Sequence, residues 1–329
     1  MGWADLEIAG ASEEGRGWRM MQGAAKTVVR MLALTSCLAA PQPAAPADAA
    51  ARAYRIEVAA RGSGPIALYA EEAGTGQPVL LLHGLGESTF TWRRMVPGLA
   101  RGHRVIALDL KGFGRSDKPL DSAYTADDQA ALVAAFMERR GLEGVTLVGH
   151  SFGGTVALKT ALIVNGERPD RILRLVLIGA PALPGSVAPH LELIDAPALP
   201  EAIVAPMPPE ALARVLLSEA RGGGEVPDED VKGYAAPYYE LAAKHAFLLT
   251  AREIVSQSDA TLETRYRTIR QPALLIWCRK DPIVPPAVGR RLSRALPHSR
   301  LALLKGCHHV PQDEKPGALL ALILPFLER

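Results

Sequence analysis

The sequence predicts an α/β protein: a mostly parallel, eight-stranded sheet with helices on both faces and a helical insertion. Three observations predict it. From about residue 54 to the end, short apolar, β-prone runs alternate with helical stretches, the pattern of strands covered on both faces by crossover helices. The alternation breaks over residues 183–263, which are rich in proline and alanine and contain no convincing buried strand. A Gly-x-Ser-x-Gly string, Gly149 to Gly153, lies between an apolar β-prone run and a helical one.

Tyr54–Ala59 and Ile66–Glu71 read as an opening strand pair, with a hairpin across Arg61-Gly62-Ser63-Gly64. Pro78–Leu82 is wholly apolar, as expected of a strand buried on both faces. A helix over Phe90–Ala100 and a strand at Arg104–Leu108 follow. Thr125–Arg140 is helical, with Thr125 as N-cap and Asp127 and Asp128 favoured by the positive end of the helix dipole. Val145–Val148 is the strand before the Gly-x-Ser-x-Gly turn, and Thr155–Leu162 the helix after it. Leu175–Ile178 is a further strand. Within the insertion, Pro209–Ala220 and Tyr238–Ser256 read as helices. A strand at Ala273–Trp277, a helix at Ala287–Ala295, a strand at Arg300–Leu304 and a last helix from Asp313 complete the chain. This divides the protein into an N-terminal leader (1–53), a core (54–182 and 264–329) and a helical cap (183–263).

The chain has 329 residues, 48% of them hydrophobic, enough for a sizeable core. Its net charge of +2, and the absence of a basic run interleaved with aromatics, argue against a nucleic-acid partner. No C-x-x-C or H-E-x-x-H pattern points to a metal. Gly84-Leu85-Gly86 starts a dinucleotide-binding string but lacks its third glycine, so no cofactor is expected. No run of about 20 apolar residues predicts a spanning helix. Lys26, Arg30, the apolar Met31–Leu34 and the Pro/Ala-rich stretch from Pro41 to Ala51 resemble a secretory signal with a cleavage site at Ala47-Asp48-Ala49. Leu34-Thr35-Ser36-Cys37 also resembles a lipobox, which would anchor the chain through a lipid on Cys37. On that reading translation starts at Met20 or Met21 and the protein is exported, periplasmic or lipid-anchored; a disordered leader on a cytoplasmic protein is the alternative. Cys278 and Cys307 are then the remaining cysteines. Two buried free thiols are expected, with a disulfide the alternative in an oxidising compartment.

Four positions follow the C-terminal ends of expected strands, where open α/β sheets bind ligands: His83-Gly84-Leu85-Gly86, Ser151, Asp281 and His309. Acyl transfer needs a nucleophile, a base to take its proton and an acid to orient that base. Ser151, His309 and Asp281 supply these roles, in the chain order Ser…Asp…His. Backbone N–H groups of Leu85 and Phe152 are the expected donors to the oxyanion, and each such donor is worth about 3–4 kcal/mol in the transition state. His83 and Gly84 read as support for that loop, and His150 as packing beneath the turn. His308 is a rival base, and Asp281 has the alternative of capping the helix across Pro282–Pro286. Asp109 opens a structured turn through Asp117, and Asp313 and Glu314 read as favouring the N-terminus of the last helix.

From about residue 54 onward the chain resembles the α/β-hydrolase-fold superfamily of esterase- and lipase-like enzymes. The resemblance rests on Leu81–Gly84, Asp109–Ser116, Gly149–Gly154, Ile276–Pro285 and His309–Pro316, in order. It implies Ser151, Asp281 and His309 as the triad, and prefers His309 to His308 because the H-x-P-x-x-E-x-P pattern begins there. Three positions depart from the family pattern: Lys111 where proline is usual, and Cys278 and His308 where glycine is usual. Dehalogenases and epoxide hydrolases of the same superfamily carry aspartate at the position of Ser151.

The function expected is therefore hydrolysis of carboxylic esters of a small-molecule acyl substrate. A C–C bond hydrolase of ring-cleavage products shares the fold and triad, and a binding protein that turns over little is a reading of another class. In the cap, Leu191, Ile194, Ile203, Val204, Met207, Tyr234, Tyr238 and Tyr239 suggest an apolar acyl pocket, though cap packing accounts for them equally.

Overall fold

A computed structural model describes residues 6–8, 51–59, 64–196 and 198–329. Its strands are β1 (Leu6–Ile8), β2 (Arg52–Val58), β3 (Ile66–Ala73), β4 (Gln77–Leu82), β5 (His103–Leu108), β6 (Val145–His150), β7 (Ile172–Ile178), β8 (Ala273–Cys278) and β9 (Ser299–Leu304). They form one sheet in the order β1-β9-β8-β7-β6-β4-β5-β3-β2. The run from β5 through β4 and β6 to β9 is parallel, and β1, β2 and β3 pair antiparallel. The eight expected strands are all present. The ninth, β1, lies in the segment read as leader and pairs Leu6–Ile8 along the outer edge of β9, where unpaired backbone groups offer a template. The proposed signal, its cleavage site and Cys37 lie outside the described residues, as do residues 60–63 in the connection from β2 to β3.

The helices are α1 (Val96–Leu99), α2 (Ala126–Arg139), α3 (Phe152–Glu167), α4 (Leu199–Val204), α5 (Pro209–Ala220), α6 (Asp228–Ala235), α7 (Leu241–Ser256), α8 (Leu262–Tyr266), α9 (Pro286–Ala295), α10 (Pro311–Glu314) and α11 (Pro316–Leu327). Alternate strand residues serve opposite cores. Leu80 and Leu82 pack on one face with Val133, Phe136, Val156 and Leu292. Val79 and Leu81 pack on the other with Trp92, Met95, Leu319 and Ile323. Thr125 caps α2 as expected: its hydroxyl accepts from Asp128 N (3.1 Å) and the Asp128 carboxylate accepts from Thr125 N (3.0 Å). Two helix expectations are corrected. The expected helix over Phe90–Ala100 is a 3-10 turn (Thr89–Trp92) and the single-turn α1, because Pro97 and Gly98 do not propagate a long helix. The expected last helix from Asp313 is two helices, because Pro316 ends α10 and opens α11.

Between β7 and β8 every regular element among the described residues is helical: α4 to α8 and two 3-10 turns, Pro189–Asp195 and Ala236–Tyr239. The connection after β4 runs outward to β5, and the next strand, β6, returns to the other side of β4. This reversal opens a crevice at the carboxyl ends of β4 and β6, where loops diverge and a ligand can enter.

Candidate active site

Ser151 stands in that crevice, at the junction of β6 and α3. Its backbone has φ 49° and ψ −122°, a strained conformation for a residue with a Cβ. The turn tolerates it because the flanking glycines let three chain segments meet. A Cβ on Gly149 would lie 2.3 Å from Gly153 O, and one on Gly153 would lie 2.3 Å from Leu82 O. The Ser151 N–H donates to Ile178 O at 2.8 Å, which fixes the turn to the end of β7.

Asp281 and His309 reach Ser151 from loops after β8 and β9, across the end of β7. Gly179 ends β7 with φ 56°, and a Cβ there would press on Asp281 Oδ2 and on the His309 ring, each at 3.3 Å. His309 Nε2 is 2.9 Å from Ser151 Oγ. His309 Nδ1 is 2.9 Å from Asp281 Oδ2 and 3.0 Å from Oδ1. A carboxylate only accepts, so Nδ1 carries the proton and Nε2 is free to receive one from the serine hydroxyl. All three residues are buried. Asp281 Oδ1 also accepts from Ile283 N and Val284 N, both at 2.9 Å, so it fills the local turn role and the partner role together. His309 N donates to Ala220 O at 2.8 Å, tying the base to the end of α5.

The loop after β4 borders the same space. Leu85 and Ser151 line one cavity, and a Cβ on Gly84 would lie 3.1 Å from Ser151 Cβ. Phe152 is the first residue of α3, so its N–H is among those with no partner inside the helix. His83 supports the loop as expected: Nδ1 donates to Gly84 O (2.8 Å) and Nε2 accepts from Leu110 N (3.0 Å). Burial pushes the His83 imidazole down, consistent with a neutral ring. Asp109 closes its turn by accepting from Thr89 N (2.6 Å) and Arg115 N (2.7 Å).

His308 turns from Ser151 to Glu314, with Nδ1 2.8 Å from Oε1 while its N–H donates to Oε2 at 2.8 Å. The expectation for Asp313 and Glu314 is thereby corrected. Both belong to the four-residue α10; Glu314 holds His308, and Asp313 accepts from Tyr234 Oη at 2.7 Å and pairs with Arg93 at 2.7 Å. The cysteine expectation is corrected too: Cys278 and Cys307 form a disulfide, with Cα atoms 5.4 Å apart. Pairing β8 with β9 in parallel brings the two together, a proximity that strand order alone decides. It also accounts for Cys278 at a position where the family favours glycine. At the other departure, the buried Lys111 donates to Asp121 (2.8 Å) and Ala123 O (3.0 Å).

His150, read as packing, is the residue whose part the sequence understated. Its ring contacts Glu87, Gln312 and the carbonyl of His309. Glu87, in the loop after β4, and Gln312, in α10, carry no spacing signal, since neither occupies a defining position of a motif in the sequence.

In front of Ser151 is a cavity of about 220 Å3, bordered by the helical segment between β7 and β8. Leu191, Ile194, Leu216, Leu217, Phe247 and Ile254 are among its walls, with no Lys or Arg among the described lining residues. Of the cap residues expected there, Leu191, Ile194, Tyr234 and Tyr238 line it; Val204 and Met207 join the core, and Ile203 and Tyr239 face solvent.

A mostly parallel sheet with this switch point, a strained serine after β6 and its partners after β8 and β9 define the class of protein. A family model described as the alpha/beta hydrolase fold matches residues 77–316, and the chain belongs to that family. Several of its relatives are named as hydrolases. The chain is 28% identical over 261 residues to the uncharacterized hydrolase YugF of Bacillus subtilis, covering 77% of this chain and 90% of that one. It is 29% identical over 270 residues to the 2-hydroxy-6-oxo-2,4-heptadienoate hydrolase of Pseudomonas putida, covering 80% and 94%. An esterase from Thermogutta terrifontis shares the fold, with a TM-score of 0.70 at 24% identity over 84% of this chain and 98% of that one.

Proposed function

We propose that this hydrolase cleaves neutral carboxylic esters with an apolar acyl group, through an acyl-enzyme on Ser151. The observation that carries the reading is the His309 Nε2–Ser151 Oγ contact of 2.9 Å opening onto an apolar cavity. Ser151 Oγ attacks the ester carbonyl as His309 takes its proton. Asp281 holds the imidazole in the receptive tautomer and stabilises the imidazolium. The N–H groups of Leu85 and Phe152 receive the oxyanion. His309 then protonates the departing alcohol, and a water deprotonated by His309 releases the acid.

The alternative is C–C bond hydrolysis, as named for the Pseudomonas putida relative. A dienoate carries a carboxylate, and burying it without a cation costs several kcal/mol. Among the described lining residues no Lys or Arg is present to receive it, and the Glu219 carboxylate there disfavours a second one. Purified protein is to be incubated with a fluorophosphonate probe and then given a panel of esters and a ring-cleavage dienoate. Labelling of wild type but not Ser151→Ala, with ester turnover exceeding dienoate turnover, is expected. Equal labelling of both proteins would end the nucleophile assignment, and preference for the dienoate would favour the alternative.

We propose further that the protein is exported, which the Cys278–Cys307 disulfide supports because such bonds persist in oxidising compartments. Cell fractionation tests it; recovery wholly in the cytoplasm would refute it.

A further inference from the structure

Beside the Ser151 site lies a buried pair of titratable groups that the proposed reaction does not use. Glu87 Oε2 is 3.1 Å from His150 Nδ1 and accepts from Gly84 N at 2.8 Å. On the other side of the ring, His150 Nε2 is 2.8 Å from the carbonyl oxygen of His309. A carbonyl only accepts, so Nε2 carries a proton. Nδ1 faces a carboxylate that already accepts from a backbone N–H, so a proton is needed there as well. The imidazole is the more basic of the two by about two pH units in water, so the shared proton rests on the ring. Gln312 packs against the same ring, its Nε2 3.2 Å from Nδ1 while it donates to Thr91 Oγ1 at 3.0 Å.

We propose that Glu87 and His150 form a charged pair that positions the reaction machinery, one end gripping the oxyanion loop at Gly84 N and the other gripping the base through the His309 carbonyl. The proposal rests on the ester-hydrolase reading for its kinetic consequence. The two halves of the site sit on loops after β4 and β9, which share no strand pairing. The pair joins them by three directional bonds within a few ångströms of Ser151. An isolated buried carboxylate or imidazolium is costly, so loss of either partner releases the other from its seat. Neither residue touches substrate in this scheme; both are positioning residues.

The test has two readouts. In protein labelled with ¹⁵N-histidine at pH 7.5, one of the eight histidines is expected to show both ring nitrogens protonated. That signal is expected to vanish in His150→Gln and to lose its second proton in Glu87→Gln. A singly protonated His150 in wild type would overturn the charged pair. In ester kinetics well below each variant's melting temperature, Glu87→Gln and His150→Gln are each expected to lower kcat about tenfold or more with KM within about twofold. The double variant should fall no further than the singles, because they remove one shared contact. Folded single variants with wild-type kcat would overturn the positioning role, since a merely structural pair would lower melting temperature alone. Absence of both turnover and Ser151 labelling in wild type would defeat the ester reading, and the NMR signature still decides the pair.

Discussion

On one side of Ser151, buried polar groups are joined at hydrogen-bonding distance: Asp281 to His309, His309 to His150, and His150 to Glu87 and Gln312. Thr91 and Tyr234 extend this network to Asp313. On the other side, Leu191, Ile194, Leu216 and Phe247 wall a cavity with few polar atoms. The first region is held by directional bonds, so a displaced atom costs a hydrogen bond or strands a charge. The second is held by packing, which tolerates exchange of one apolar side chain for another of similar volume. Reaction chemistry is therefore expected to be brittle to substitution, and substrate choice adjustable.

The largest effect expected from breaking the polar side is at the reacting groups themselves. Ser151→Ala and His309→Ala should each lower kcat by about 10⁶-fold, and Asp281→Asn by about 10⁴-fold. Active-site-titrated ester kinetics measure this, and a variant within tenfold of wild type would show that its residue lies outside the chemistry. Next is the covalent tie. Cys278 and Cys307 lie three and two residues ahead of Asp281 and His309. Replacing both with alanine should cost about 2–4 kcal/mol of stability, read as a lower denaturant midpoint. An unchanged midpoint would mean that the bond is absent from the purified protein.

The apolar side should respond in selectivity. Leu216→Trp shrinks the cavity and should lower the ratio of kcat/KM for long over short acyl esters by about 10–100-fold, at about 1–3 kcal/mol per methylene excluded. An unaltered ratio would place the acyl chain elsewhere. The smallest effect is a pH dependence of the Glu87–His150 pair. Burial alone would lower the His150 imidazole, but the Glu87 carboxylate raises it above its ordinary value. Burial alone would raise Glu87, but His150 and the Gly84 N–H hold it below the carboxylate range. Of the other titratable groups facing the pair, His83 further lowers the Glu87 carboxyl and Asp281 further raises the His150 imidazole, and both favour the charged pair. A raised imidazole adds stability that is whole below its unfolded value, about 6.5, and fades as pH climbs through its folded one. A lowered carboxylate adds stability that is whole above its unfolded value, about 4.3, and fades as pH drops through its folded one. The melting-temperature gap between wild type and Glu87→Gln should thus be widest between about pH 4.3 and 6.5 and narrow in alkaline buffer. A gap constant from acid to alkaline pH would contradict the charged state.

Where the sequence reading succeeded, a short-range pattern carried the information. The strand runs are apolar on both faces, and the Gly-x-Ser-x-Gly string needs small residues wherever the turn meets Leu82 and Gly153. Thr125 and Asp128 signal their cap within four residues. Where it fell short, the deciding partner was remote. Nothing near Glu87 in sequence announces His150, and nothing near Asp313 announces Arg93 or Tyr234. Helix ends at Pro97 and Pro316 moved because the ring breaks the backbone ladder even where neighbouring residues favour a helix.

The sequence by itself determined the sheet, its eight principal strands and the order in which serine, aspartate and histidine follow them, because apolar periodicity and turn chemistry act over a few residues. Only the tertiary structure decided that β8 and β9 lie side by side, joining Cys278 to Cys307, and that a buried carboxylate sits under His150. Those outcomes depend on which distant segments become neighbours, and that is set by the burial of whole faces rather than by any local preference.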